Sequence, residues 1–208
     1  MIKRILCFGD SNTWGFIPAG GLQRYPENVR WTGLLQDKLA DRAKVIEFGL
    51  CGCESGGWSM HKPFNTDAQS LFPSVLLASM PVDIVFIMLG TNDIKSHNEW
   101  KSGDTARNLQ KLIYAVRQMC PSAEIILAAP VCLDERIACD PDYSMQAVSD
   151  SHLCAEEIST LAEAEHLRFF DSNEYVHELG ADGCHWTAES HAAFAEKLAA
   201  FLCDSELV

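Results

Sequence analysis

Short apolar runs alternating with longer amphipathic ones predict an α/β fold, a single-domain three-layer α/β/α sandwich around a five-stranded parallel sheet. Three observations carry this. Five β-rich runs are separated by helical patterns, the order that produces a doubly wound sheet with right-handed crossovers. The first and third runs are almost continuously apolar, as strands become when helices cover both faces. The chain of 208 residues is long enough for one good core and short for two.

The strands are expected at Ile2–Phe8, Val45–Phe48, Val82–Leu89, Glu124–Ala129 and Leu167–Phe170. Between the first two, Val29–Arg42 carries Trp31, Leu34, Leu35 and Leu39 at helical spacing. Asp67–Met80 also reads as helix, with Pro73 expected to kink or restart it. Asp104–Met119 presents Leu109, Leu112, Ile113 and Val116 on one face, with Ser102 or Asp104 as the N-cap. Ser144–His166 is a long amphipathic helix. Thr187–Cys203 closes the chain, with Thr187 as N-cap and Glu189 in the first turn, where the helix dipole favours an acid. The longest irregular stretches (Gly9–Asn28, Leu50–Thr66, Gly90–Gly103, Pro130–Tyr143 and Asp171–Trp186) each follow a predicted strand. They should converge on the carboxyl edge of the sheet, where ligands bind in such folds.

Composition narrows the function. A formal net charge of −13 argues against nucleic acid and anionic membranes as partners, because both are held by clustered Lys and Arg. No apolar run approaches the ~20 residues of a membrane helix. The apolar stretch after Arg4 is too short for the core of a signal peptide, so a soluble, cytoplasmic protein is expected. The nine cysteines are odd in number and include no Cys-x-x-Cys pair. Several, such as Cys7 and Cys203, sit in apolar runs, so free thiols in a reducing compartment are expected rather than disulfides or a metal site. His61, His97, His152, His166, His177 and His191 show no paired ligand spacing.

The candidate chemistry lies in the loops. Strand 1 runs into Gly9-Asp10-Ser11-Asn12-Thr13-Trp14-Gly15, which sets a Ser hydroxyl at the sheet edge, although Ser11 or Asp10 could equally cap a turn. Strand 3 runs into Gly90-Thr91-Asn92-Asp93, where Asn92 offers an amide donor or an Asx turn. After strand 2, Gly52 can expose a backbone N–H. In the last loop Asp182 and His185, three apart, can meet with the carboxylate on Nδ1–H and Nε2 left as a base. The alternative there is a helix N-terminal capping arrangement. Each turn alone is a weak signal. Together they supply a nucleophile, an oriented base and donors for a developing oxyanion, the set that acyl transfer requires.

With these residues in view, the chain resembles the SGNH (GDSL-type) hydrolases, whose blocks contribute Ser, Gly, Asn and His in that order. The matching positions are Ser11 in Gly-Asp-Ser-Asn-Thr, Gly52 in Gly-Leu-Cys-Gly-Cys, Asn92 in Gly-Thr-Asn-Asp and His185 in Asp-Gly-Cys-His. Lys3–Gly15, Val29–Gly33 and Ile87–Asp93 look like the arylesterase/acyltransferase branch. The resemblance implies a flavodoxin-like strand order 2-1-3-4-5. It implies Ser11, Asp182 and His185 as catalytic residues, and an oxyanion hole from the Ser11 and Gly52 N–H groups and the Asn92 side chain. It also implies no metal or other cofactor, a small-molecule ester as substrate, acyl transfer to alcohols beside hydrolysis, and a homo-oligomer, with Ile17–Asn28 as the candidate interface. Two departures stand out: Asn12 replaces the Leu of the family's name motif, and Glu47 lies where many members have Asn. Gly49 is the alternative to Gly52 in the second block.

Asn12, Trp14 and Trp186, with Phe16 and Trp58, are the candidates to wall the substrate pocket, with the alternative that at least half of these aromatic side chains only cover the end of the sheet. Short acyl, aryl or sugar O-acetyl esters fit better than long-chain lipids, since no lid or membrane-binding helix is evident. A carbohydrate deacetylase or thioesterase could use the same residues. A non-catalytic flavodoxin-like binding module is the reading from another class, but no phosphate-cradling glycine loop follows strand 1. Cys184, beside His185, is a further conceivable nucleophile.

Overall fold

The computed structural model describes residues 2–57 and 64–208, so Trp58 and His61 lie outside the described residues. Five parallel strands form one sheet: β1 (Lys3–Gly9), β2 (Ala43–Gly49), β3 (Ile84–Met88), β4 (Glu124–Ala129) and β5 (Arg168–Asp171). Their spatial order is β2-β1-β3-β4-β5, the order that the resemblance implies. The six α-helices among the described residues are α1 (Ser11–Trp14), α2 (Trp31–Leu39), α3 (Ala68–Ser79), α4 (Asp104–Met119), α5 (Gln146–Ala164) and α6 (Ala188–Asp204).

The apolar strands are explained by what lies on either face. Successive side chains of a strand point to opposite sides. Ile5, Cys7, Ile84, Phe86 and Met88 pack with Trp31, Leu35 and Leu39 of α2 and Phe194, Leu198 and Leu202 of α6. Leu6, Phe8, Val85 and Ile87 pack with Phe72 and Leu76 of α3, Leu112 and Val116 of α4 and Ile158 of α5. Both parities of β1 and β3 are therefore buried. Burying a large apolar side chain contributes on the order of 1.5–3 kcal/mol, and these two layers hold most of the core.

Helix boundaries differ from expectation where local backbone chemistry intervenes. α2 stops at Leu39 because Ala40 takes a positive φ of 46°, and the Gln36 side chain then binds Val45 N–H at 2.8 Å and the Ala43 carbonyl at 3.0 Å. α5 ends before His166, whose φ is 54°. α3 runs through Pro73 in one piece; Pro removes a single ladder bond, and the buried Phe72 and Leu76 hold the turns on either side against the sheet. Neither Ser102 nor Asp104 caps α4. Gly103 is the N-cap, its N–H donating to both Glu157 oxygens at 2.8 and 2.9 Å, and the Asp104 carboxylate turns outward to accept from Lys101 N–H. Thr187 does cap α6, accepting from Ser190 N–H at 3.2 Å.

The strand register sets the site. Gly9, at the end of β1, is level with Gly49 of β2 and Met88 of β3, so the loops after all three strands open at one height. Edge residue Glu47 ties the first long loop down: it pairs with Arg24 and with Arg30 (2.6 Å) and accepts from the Thr32 hydroxyl. Arg24 also lies over the Trp14 ring, 5.2 Å from its centroid.

Candidate active site

Ser11 is the first residue of α1, directly beyond β1, and Asp10 caps that turn by accepting from Asn12 N–H at 3.0 Å. From the opposite side, the loop before α6 brings His185 to it. His185 Nε2 lies 2.9 Å from Ser11 Oγ, and His185 Nδ1 lies 2.9 Å from Asp182 Oδ2. The other oxygen of Asp182 accepts from the N–H groups of His185 (2.9 Å) and Cys184 (3.1 Å). Partial burial of Asp182 acts to raise its pKa, but those hydrogen bonds and the His185 charge outweigh it and hold the carboxyl down at about 2. A hydroxyl, an imidazole and a fixed carboxylate in this sequence can move a proton off the hydroxyl and stabilise the imidazolium that results.

Asn92 reaches the same place from the end of β3. Gly90 makes the approach, with a φ of 145° and the Cys154 sulfur 2.9 Å from where a Cβ would stand, so a side chain there would strain the turn. Asn92 is buried, and its Nδ2 has no hydrogen-bond partner among the described residues. A buried amide donor left without an acceptor is costly, and such a group is available to an oxygen that develops charge. Gly52, with a positive φ of 76°, lines the same cavity as Ser11 and Asn92. Gly49 does not: a Cβ there would strike the Trp14 backbone at 2.1 Å. It packs under α1.

The cavity has a volume of about 150 Å³ and is lined by Ser11, Phe16, Cys51, Gly52, Asn92, Lys95, Asp140, Tyr143, Cys184 and His185. Phe16 lies on the imidazole, with ring centroids 4.3 Å apart. The pocket residues expected from sequence need correcting. Trp186 is fully buried, packed on Phe194 and His191 at 4.7 and 5.3 Å; it forms an isolated bridge with Leu179, and its ring lies in the core rather than beside His185 at the cavity. Asn12 is buried too, its side chain bound to the backbone of the His185 loop. Trp14 is absent from the lining and sits beneath Arg24. Missed were Lys95, Asp140 and Tyr143, which come from two loops with no local pattern; Lys95 is held by Asp142 (3.0 Å) and lies over the Tyr143 ring.

Other buried groups frame the site. Burial raises Asp10 to about 6, against the pull of Asn12 N–H and the charge of His185. Burial also holds the Cys184 thiol well above its ordinary range and Cys51 at about 11, so neither is a thiolate near neutrality and Cys184 makes a poor nucleophile. All nine cysteines are free thiols. Among the described residues, no group of three His, Cys, Asp or Glu residues could hold a metal ion, and no helix is long and apolar enough to cross a membrane.

Comparison with known proteins places this geometry. Residues 7–193 match the model of the GDSL-like lipase/acylhydrolase family. One solved structure, 34% identical, superposes with a TM-score of 0.92 over 99% of both chains. The inhibitor-bound aryl esterase of M. smegmatis is 28% identical, with a TM-score of 0.89 over 97% of this chain and 99% of that one. Est24, a carbohydrate acetylesterase from Sinorhizobium meliloti, is 28% identical, with a TM-score of 0.87 and the same coverage. No curated protein matches the sequence.

Proposed function

This chain belongs to the GDSL-like lipase/acylhydrolase family and is a carboxylic ester hydrolase, and on that premise we propose that it works through an acyl-enzyme on Ser11. His185 Nε2 takes the Ser11 proton as Oγ attacks the ester carbonyl carbon. Asp182 keeps His185 in the tautomer that leaves Nε2 free, and stabilises the imidazolium. The carbonyl oxygen, now an anion, is received by the Ser11 and Gly52 N–H groups and the Asn92 amide. His185 then returns its proton to the departing alcohol oxygen. Water, or another alcohol, repeats the sequence to release the acyl group. The observation that carries this reading is the unbroken chain from Ser11 Oγ to His185 to Asp182, 2.9 Å at each step. Turnover of 4-nitrophenyl acetate tests it: Ser11→Ala and His185→Ala should each lose more than about 10³-fold in kcat, and wild-type turnover by Ser11→Ala contradicts it.

A cavity of about 150 Å³ is below the roughly 300–1,000 Å³ of sites for drug-sized ligands, which supports short acyl groups. Across 4-nitrophenyl acetate, butyrate and octanoate, kcat/KM should fall steadily; a maximum at octanoate contradicts this. Phe16 suits an aryl leaving group. Lys95, Asp140 and Tyr143 on the cavity wall favour a second reading, an O-acetyl sugar whose hydroxyls they would bind. Comparing an acetylated sugar with an aryl acetate separates the two.

A homo-oligomer formed through Ile17–Asn28 is supported by Leu22, 80% exposed in that loop. Light scattering on wild type and Leu22→Glu tests it, and an unchanged mass in the variant counts against this interface. A cytoplasmic setting is supported by the nine free thiols.

A further inference from the structure

We propose that Asn12 is a positioning residue, whose side-chain amide registers the His185 loop against the segment that carries the nucleophile. The inference rests on the Ser11–His185–Asp182 reading above. Asn12 directly follows Ser11 and is 4% exposed. Its backbone is held at both ends: the N–H donates to Asp10 Oδ1 at 3.0 Å, and the carbonyl accepts from the Trp31 indole N–H at 3.1 Å. Its side chain then spans to the other loop. Nδ2 donates to the Cys184 carbonyl at 3.2 Å, and Oδ1 accepts from Trp186 N–H at 3.1 Å.

The two bonds fall on either side of His185. One amide thus engages the carbonyl before the imidazole and the N–H after it, as a neighbouring parallel strand would. With both backbone groups committed, His185 faces the cavity while Trp186 enters the core. Asp182 belongs to the same loop as His185 and moves with it, so it orients the ring within the loop. The Asn12 amide links that loop to the residue next to Ser11. The task needs a donor and an acceptor on one short side chain. Leu, the residue of the family's name motif, has neither and would leave the Cys184 carbonyl and the Trp186 N–H without this partner. Asp retains only the acceptor.

Misplacing a reacting group by about 1 Å costs on the order of 10²-fold in rate. Asn12→Ala should therefore lower kcat for 4-nitrophenyl acetate by about 10–100-fold, with KM within about two-fold and fluorophosphonate labelling slowed in parallel. Asn12→Asp, close in size, should fall between Asn12→Ala and wild type, and it carries the test if Asn12→Ala does not fold at the assay temperature. The decisive readout is a cycle with His185→Ala. Once the imidazole is gone there is nothing to position, so adding either Asn12 substitution should leave the residual rate unchanged. The proposal is overturned if both Asn12 variants keep wild-type kcat, or if they lower the His185→Ala rate by the same factor as the wild-type rate. A fully active Ser11→Ala refutes the underlying mechanism instead; an inactive Ser11→Ala beside fully active Asn12 variants refutes only the positioning role.

Discussion

At the scale of single residues, the site is built from groups whose polar needs the fold leaves open or meets in only one way. Asn92 Nδ2 is one of those left open. Removing a comparable oxyanion donor costs about 10²–10³ in kcat, so Asn92→Ala should lose that much with little change in KM; a loss confined to KM would mark it as a ground-state contact. Asp10 has a different signature. Its carboxyl titrates at about 6 in the fold, against 3.8 ordinarily, so between those values the folded state binds more protons than the unfolded one. Stability from this group is present below about pH 4, falls as pH rises to about 6, and is flat above, a difference on the order of 3 kcal/mol. Asp10→Asn keeps an acceptor for Asn12 N–H and should raise the melting temperature at pH 8 relative to its effect at pH 4. Equal shifts at both pH values would contradict this. Asp182 has the opposite sign. Its depressed pKa stabilises the fold above pH 3.8, and that contribution is lost as pH falls towards about 2.

At the scale of elements, β1, β2 and β3 bring Ser11, Gly52 and Asn92 just beyond their carboxyl ends, the loop between β5 and α6 brings Asp182 and His185, and the helices press the strands from both sides. The periodicities made this legible: almost continuous apolar runs marked β1 and β3, and helical spacing marked α2 and α4. The cap of α6 was legible for the same local reason, since a Thr three residues before the Ser whose N–H it accepts is a local signal. Thr187→Ala should cost about 1 kcal/mol of stability by denaturant titration, and an unchanged midpoint would show that Ser190 finds another partner. The cap of α4 was not legible, because the Glu157 carboxylate that binds Gly103 N–H comes from α5, far along the chain. The pocket walls failed for that reason too. Lys95 is placed by Asp142 and Tyr143 from another loop, while Trp186, conspicuous beside His185, is drawn inward by Phe194. Ser11, Gly52, Asn92, Asp182 and His185 could be singled out in the sequence because the loops that carry them follow predicted strands and so leave the sheet at one edge; the roles proposed for them rest on the distances within the site.

At the scale of the whole molecule, strand order does the assembling. With β1 between β2 and β3, the loops holding Ser11, Gly52 and Asn92 are neighbours, and the chain must run its full length before the segment ahead of α6 can bring Asp182 and His185 back over them. The acidic surface, with a net charge of −13, adds a field that favours neutral over anionic esters. On the proposed mechanism, this closure activates one serine. Intact-protein mass after incubation with a fluorophosphonate, for wild type and Ser11→Ala, tests it most directly. An activated Ser11 gives a single adduct on the wild type that is absent from the variant. No adduct on folded wild type, or an adduct that persists in Ser11→Ala, would contradict it.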